Sequence, residues 1–237
     1  MHRPIPSRAA LVPLLAVLAA ACGGASVEQQ VLRRYFDALR LRDQATLGFV
    51  ATVRLDPETE GIVQRFRIVS VGDERRQALR IRELARALRE AREADEAFIA
   101  RMRAFQKEHA DEIDRVLKAE ARKAALRGRD AALQAEWRRW RDQMAEHAKR
   151  VADARRKLAA ETRVAELSVY DAQNPVEVED YDGELVTKDV TIEAEVLTPD
   201  RQTVTRTYVV TLQRAELKGP KGERRGRWVI TGIRPAS

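Results

Sequence analysis

Two central histidines and a cluster of tryptophans and arginines are the side chains best placed for chemistry in this 237-residue chain. If the central segment folds back at Gly128, His109 faces His147, and Asp111 and Glu112 lie close enough in sequence to add carboxylates. Two imidazoles fall short of the three or four ligands of a zinc site. The competing reading is a polar layer that fixes the register of paired helices. Such a layer would respond to pH near neutrality, where histidine titrates. We therefore expect no metal and no cofactor. Further on, Trp137, Arg138, Arg139, Trp140 and Arg141 interleave aromatic and cationic groups. This pattern suits a surface that meets lipid headgroups or an anionic cell-wall polymer. The competing reading puts the indoles in a helical seam and the arginines in solvent. Serine, histidine and acid do not group as a nucleophile and its base. No glycine-rich phosphate loop follows a strand. The sequence gives no reason to expect an enzyme.

These residues sit in one long element. From Asp73 to Arg163 there is no proline and a single glycine, Gly128, amid Ala, Arg, Glu, Leu and Lys. That is the composition of long helix or coiled coil. Ile81, Leu84, Leu88, Ala91, Asp95, Phe98, Met102 and Phe105 follow alternating steps of three and four. His109 and Ile113 continue with two steps of four, a stutter. Trp137, Trp140, Met144, His147, Val151, Ala154 and Leu158 form a second seam. Two seams around a glycine predict an antiparallel helical hairpin with arms of ~50 Å. Its register would set Phe105 against Val151 and Phe98 against Leu158. The segment holds 25 Lys and Arg against 18 Asp and Glu, so the net +7 of the whole chain resides there.

The start of the chain has a different character. Arg3 and Arg8 precede an apolar run, Ala9 to Ala20, broken only by Pro13. The run is too short to span a bilayer comfortably and reads as a secretory signal. Ala19-Ala20-Ala21-Cys22 resembles the lipobox of bacterial lipoproteins, although Ala19 stands where leucine is preferred. The resemblance implies a signal peptide over residues 1–21 and acylation of Cys22. An ordinary Ala-x-Ala signal would instead leave Cys22 a free thiol, and a lone cysteine in an exported chain needs a purpose. Several acyl chains give stable anchoring. No Asp follows Cys22, so the inner-membrane retention signal of enteric lipoproteins is missing; the expectation is the periplasmic side of the outer membrane, with the inner membrane and the cell surface as alternatives. An exported chain would rarely meet nucleic acid, despite its charge.

Residues 22–72 and 164–237 flank the helical insertion, residues 73–163. Ser26 to Asp43 reads as an amphipathic helix capped by Ser26 and Gln29, with Val27, Val31, Tyr35 and Leu39 on one face. Leu47 to Val53 reads as a helical turn and Ile62 to Val71 as a strand. Val164 to Tyr170 is β-like. Val190 to Val196 alternates as a half-buried strand, as do Thr203 to Leu212 and Trp228 to Ile233, with a polar loop over Lys218 to Gly226. This predicts an antiparallel meander and an α+β fold overall.

That order of elements resembles the NTF2-like, cystatin-like superfamily of cone-shaped α+β domains. The residues that carry it are Val31 to Leu39 and Arg227 to Ile233. The resemblance implies a cone that, in enzyme members, holds a general base with a tyrosine nearby. Tyr35 and Asp37 are the candidates here, against a bland reading as a core aromatic and a solvated carboxylate. The expectation is a lipid-anchored envelope protein whose basic hairpin serves another protein or an anionic envelope component. A ligand-binding or catalytic cone, and a subunit of an envelope assembly, are the alternatives.

Overall fold

Ser26 opens the first helix, its Oγ accepting the Gln29 N–H at 3.2 Å. The helix, α1 (Val27–Leu41), ends at Arg42 in the left-handed region, φ 57°. Asp43 then caps α2 (Gln44–Val50) through the Thr46 N–H. The computed structural model describes residues 25–236, so the expected signal peptide, residues 1–21, and Cys22 lie outside the described residues. The stripe that α1 buries is Leu32, Tyr35, Phe36 and Leu39, while Val27 stays exposed.

Four long strand positions form a curled antiparallel sheet. At its centre, β3 (Asp182–Leu197) pairs with β4 (Thr203–Gly219) from end to end without a register shift. Each edge is built of two shorter strands. On one side β1 (Ile62–Val71) and β2 (Arg75–Leu79) pair with successive halves of β3. On the other, β5 (Gly222–Arg225) and β6 (Val229–Pro235) pair with successive parts of β4. The segment 218–226, expected to be a loop, is mostly this β4–β5 hairpin.

Between β2 and β3 the chain leaves the sheet as α3 (Ile81–Glu108), α4 (Ala110–Ala121) and α5 (Gly128–Val169). A short 3-10 turn, Val178–Asp180, leads back. Since β2 and β3 are antiparallel neighbours, the helices amount to a large insertion in one strand connection.

The helical segment differs from expectation at both ends. It begins at Ile81, because residues 75–79 join the sheet although Arg, Gln, Ala and Leu favour helix; pairing with β3 overrides propensity. It continues to Val169 through the β-like residues 164–169. There Thr162, Ala165 and Ser168 are buried against the sheet, and that packing decides their conformation.

Side chains alternate across a strand, and the two faces of β3 and β4 carry different cores. Even-numbered Val186, Val190, Ile192, Ala194, Val196, Tyr208, Val210 and Leu212 pack beneath α1 and α2. Odd-numbered Ala215 and Leu217, with Tyr181, face the base of the hairpin, namely Ile81, Ala85, Leu88, Leu158 and Ala165. A third core, at the hairpin tip, touches neither.

Candidate functional site

The hairpin turns without using glycine where the helix stops. Lys123 adopts φ 53°, the Ala124 N–H reaches back to the Ala119 carbonyl at 3.0 Å, and the Lys123 N–H to that of Glu120 at 3.1 Å. This is a Schellman ending with lysine at the left-handed position. Residues 122–127 make the connection, and Gly128, φ 59°, sits at its far end as the first residue of α5. The turn is therefore centred about five residues earlier than expected, and each residue's partner moves by about twice that. Phe98 stacks on His147 instead of meeting Leu158, and Phe105 meets Trp140 instead of Val151.

This register separates the two histidines. His147 lies flat on Phe98, centroids 4.6 Å apart, and His109 packs on Phe105, also at 4.6 Å. Among the described residues no three His, Cys, Asp or Glu side chains gather as a metal site would need. The stutter does have a counterpart: the helix is interrupted at His109, φ −114° and ψ 29°, between α3 and α4.

The tryptophans turn inward. Trp137 is 5% exposed, packed with Phe98, Met102, Ile113, Val116 and Leu133. Trp140 fills the same core from the side, 5.3 Å from Phe98. An aromatic surface at Trp137 and Trp140 is thus corrected to a tip core in which Trp137 is buried and Trp140 half-buried, because packing against the seam removes indole area from water. Arg138 and Arg141 converge on Glu120, Arg141 at 2.9 Å, and Gln134 donates to the same oxygen. Partial burial pushes the Glu120 carboxyl up, but these donors outweigh it and hold it below its usual range. Arg139 remains exposed. From Ala121 to Arg129 the connection carries Arg122, Lys123, Arg127 and Arg129, all exposed, with no acid among them.

The cone reading fares differently. Tyr35 is fully buried, its hydroxyl accepting the Leu55 N–H at 3.0 Å and donating to the Val53 carbonyl at 3.4 Å. Asp37 pairs with Arg40 on the exposed face of α1. The space between α1 and the sheet is filled by valine, isoleucine, leucine and aromatic side chains.

One constellation was missed. Where the even face runs past the end of α1, its apolar series is broken by Lys188 and Arg214, both nearly buried. The Lys188 Nζ lies 4.0 Å and the Arg214 Cζ 4.4 Å from the centre of the Trp228 ring. Lys188 is bonded to Glu28 at the start of α1. Arg214 meets Glu216 at 3.0 Å and Glu74 at 3.4 Å. Arg76 joins Glu216 to Glu184, and Arg225 closes on Glu216. Burial pushes Glu28 up, yet the Lys188 hydrogen bond leaves it net lowered. Arg76 holds Glu216 below the usual carboxylate range. An open depression of about 700 Å³ beside this network is lined by both signs, including Arg76, Glu184, Glu216 and Arg225. Four cations face four carboxylates, so the network is balanced and its chemistry is internal. The sequence signal was legible: cations at inward positions of two otherwise apolar alternating strands.

No known family model, curated protein or solved structure matches the chain.

Proposed function

We propose that this is a lipid-anchored envelope protein in which an NTF2-like α+β body holds a basic helical hairpin out to a partner. Anchoring at Cys22, on the periplasmic side of the outer membrane, rests on the signal sequence. Among the described residues no helix is long and apolar enough to cross a membrane. The order of helix, helical turn, strand, insertion and antiparallel strands supports the NTF2-like reading, with the hairpin enlarging the internal helix.

The observation that carries the proposal is the hairpin's independence from the body. About 35 Å of α5, before Val151, lies beyond the core shared with the sheet. Outside its seam the hairpin is charged; Leu117 and Met144 are its only large exposed apolar side chains among the described residues. One seam without a second apolar stripe describes a self-contained arm more than a helix awaiting partner helices. Such an arm, basic at its end, serves to present charge at a distance. Photo-crosslinking side chains placed at Arg139 on the hairpin and Arg65 on the sheet edge, in the native envelope, test this. Adducts from position 139 and none from 65 are expected. Adducts only from 65, or none from either, would sink the reading.

A further inference from the structure

We propose that the hairpin tip, formed by Arg122, Lys123, Arg127 and Arg129, is a contact site for the phosphate headgroups of an anionic phospholipid surface. The inference rests on the reading of the hairpin as the interacting element and names what its end touches.

All four cations are exposed and share nine residues of chain without a carboxylate. The acids nearest the connection are already engaged: Asp114 by Lys118, Glu120 by Arg138 and Arg141, and Asp130 by Arg115. The positive charge of the tip is therefore unbalanced, unlike that of the network around Trp228.

The shape of the tip selects among polyanions. A stable protein interface centres on buried aromatic or apolar anchors. The tip offers Ala121, Ala124 and Ala125, while Leu126 is half-buried against the tip core and both tryptophans point inward. Single-stranded nucleic acid is held by bases stacking on aromatic rings, and none is exposed here. A charged bilayer needs no such anchor. It presents a smeared negative field that attracts each lysine or arginine near its surface, about fivefold in affinity per charge. With no apolar wedge, contact would stay at the headgroup level and weaken steeply with salt.

The test uses the chain from Gly23 onward, which contains every described element and has no cysteine to acylate. It is sedimented with vesicles of phosphatidylcholine alone or with added phosphatidylglycerol. Binding to the anionic vesicles only, abolished by high salt, is expected. The R127A/R129A double variant should bind roughly 30-fold more weakly. The R89A/R92A variant, which loses the same charge from exposed positions nearer the base, should bind as the parent does. Equal binding to neutral vesicles, no binding to anionic ones, or equal losses in both variants would overturn the proposal. So would a DNA duplex that binds as tightly with the same variant pattern, since the site would then be an unselective polyanion patch. If the vesicles fail while position 139 still crosslinks a protein in the envelope, the hairpin reading survives and only its lipid partner is lost.

Discussion

The core beneath α1 and the core at the hairpin tip are built on different scales. Nineteen buried residues, all but Ala51 and Trp228 from two helices and four strands, enclose the first. Six residues of three helices make the second. Between the tip and the base the seam thins to Ala91, Asp95 and Met144, the last 43% exposed. Two helices alone bury only one stripe each, so a stretch of seam occupied by alanine and aspartate contributes little. The tip is thus a small island of packing joined to the body by a weak segment, the arrangement in which local opening separates from global unfolding.

Truncation on each side tests that separation and carries the largest expected effects. Trp137→Ala should cost about 3–5 kcal/mol, but only of tip stability. Amide exchange should rise across residues 98–137 while the denaturant transition of the body keeps its midpoint. Leu212→Ala, in the body core, should cost about 2–5 kcal/mol and expose amides everywhere. A drop in the global midpoint for Trp137→Ala would show that body and hairpin form one cooperative unit, and the comparison would fail.

The same even face holds a second contrast, between its apolar half and its ionic half. Lys188→Met leaves Glu28 facing a neutral side chain, and breaking a buried pair in this way costs about 3 kcal/mol or more. The carboxylates Glu28, Glu216 and Asp189 are all held below their usual range, and Thr211 and Arg75 do this for Asp189 against its burial. A lowered carboxylate stabilises the fold fully above its unfolded pKa. That contribution is lost as pH falls through the folded value. The urea midpoint should therefore be flat near neutrality and fall on acidification below the ordinary glutamate range. Glu216→Gln should be less stable at neutral pH and lose less on acidification. An acid slope unchanged in Glu216→Gln would place the sensitivity outside this network.

A smaller effect is expected where the two regions meet. Ser168, near the end of α5, donates to the Arg227 carbonyl at 2.8 Å and accepts the Ala215 N–H at 3.0 Å. Arg227 in turn donates to the Leu167 and Tyr170 carbonyls at the helix end. The contact is close because Gly226 has no side chain; a Cβ there would stand 1.9 Å from the Ser168 Oγ. Gly226→Ala should cost about 1–3 kcal/mol as α5 is pushed from the sheet edge. Adding Ser168→Ala should recover part of that loss, since the clashing oxygen is gone. Simple additivity of the two variants, measured by thermal unfolding, would mean that the helix end does not bear on Gly226.

The elements whose order follows local pattern were legible in the sequence: the capped first helix, the alternating strands β3 and β4, the α3 seam from Ile81 to Phe105. The two misread ends of the helical segment depended on partners distant along the chain. Residues 75–79 are strand because β3 lies beside them, and 164–169 are helix because Ser168 and Ala165 meet the sheet. The buried network was readable in part, since Lys188 and Arg214 interrupt apolar alternation. Two of its acids, Glu28 and Glu74, come from segments far away in sequence, and no local pattern pairs them. The tryptophans illustrate a different limit. Heptad spacing placed Trp137 and Trp140 in a seam, while the neighbouring arginines suggested a surface, and burial decides for the seam.

The smallest expected effect concerns the turn itself. Gly128 is the weakest helix former in the segment, yet the helix ends at Lys123, a residue with a Cβ in left-handed backbone. That conformation costs a non-glycine residue about 1 kcal/mol. Lys123→Gly relieves it, while glycine's extra freedom in the unfolded chain takes back a fraction. A net gain of about 0.5 kcal/mol is expected, confined to the tip and read as slower amide exchange in residues 113–134. Gly128→Ala should do the reverse, because its φ of 59° strains any side chain although open space surrounds it. Opposite signs at the two positions would fix the helix end at Lys123. Were Lys123→Gly destabilising instead, the lysine would have to be contributing contacts of its own, and the tip would be more than a loop of unbalanced charge.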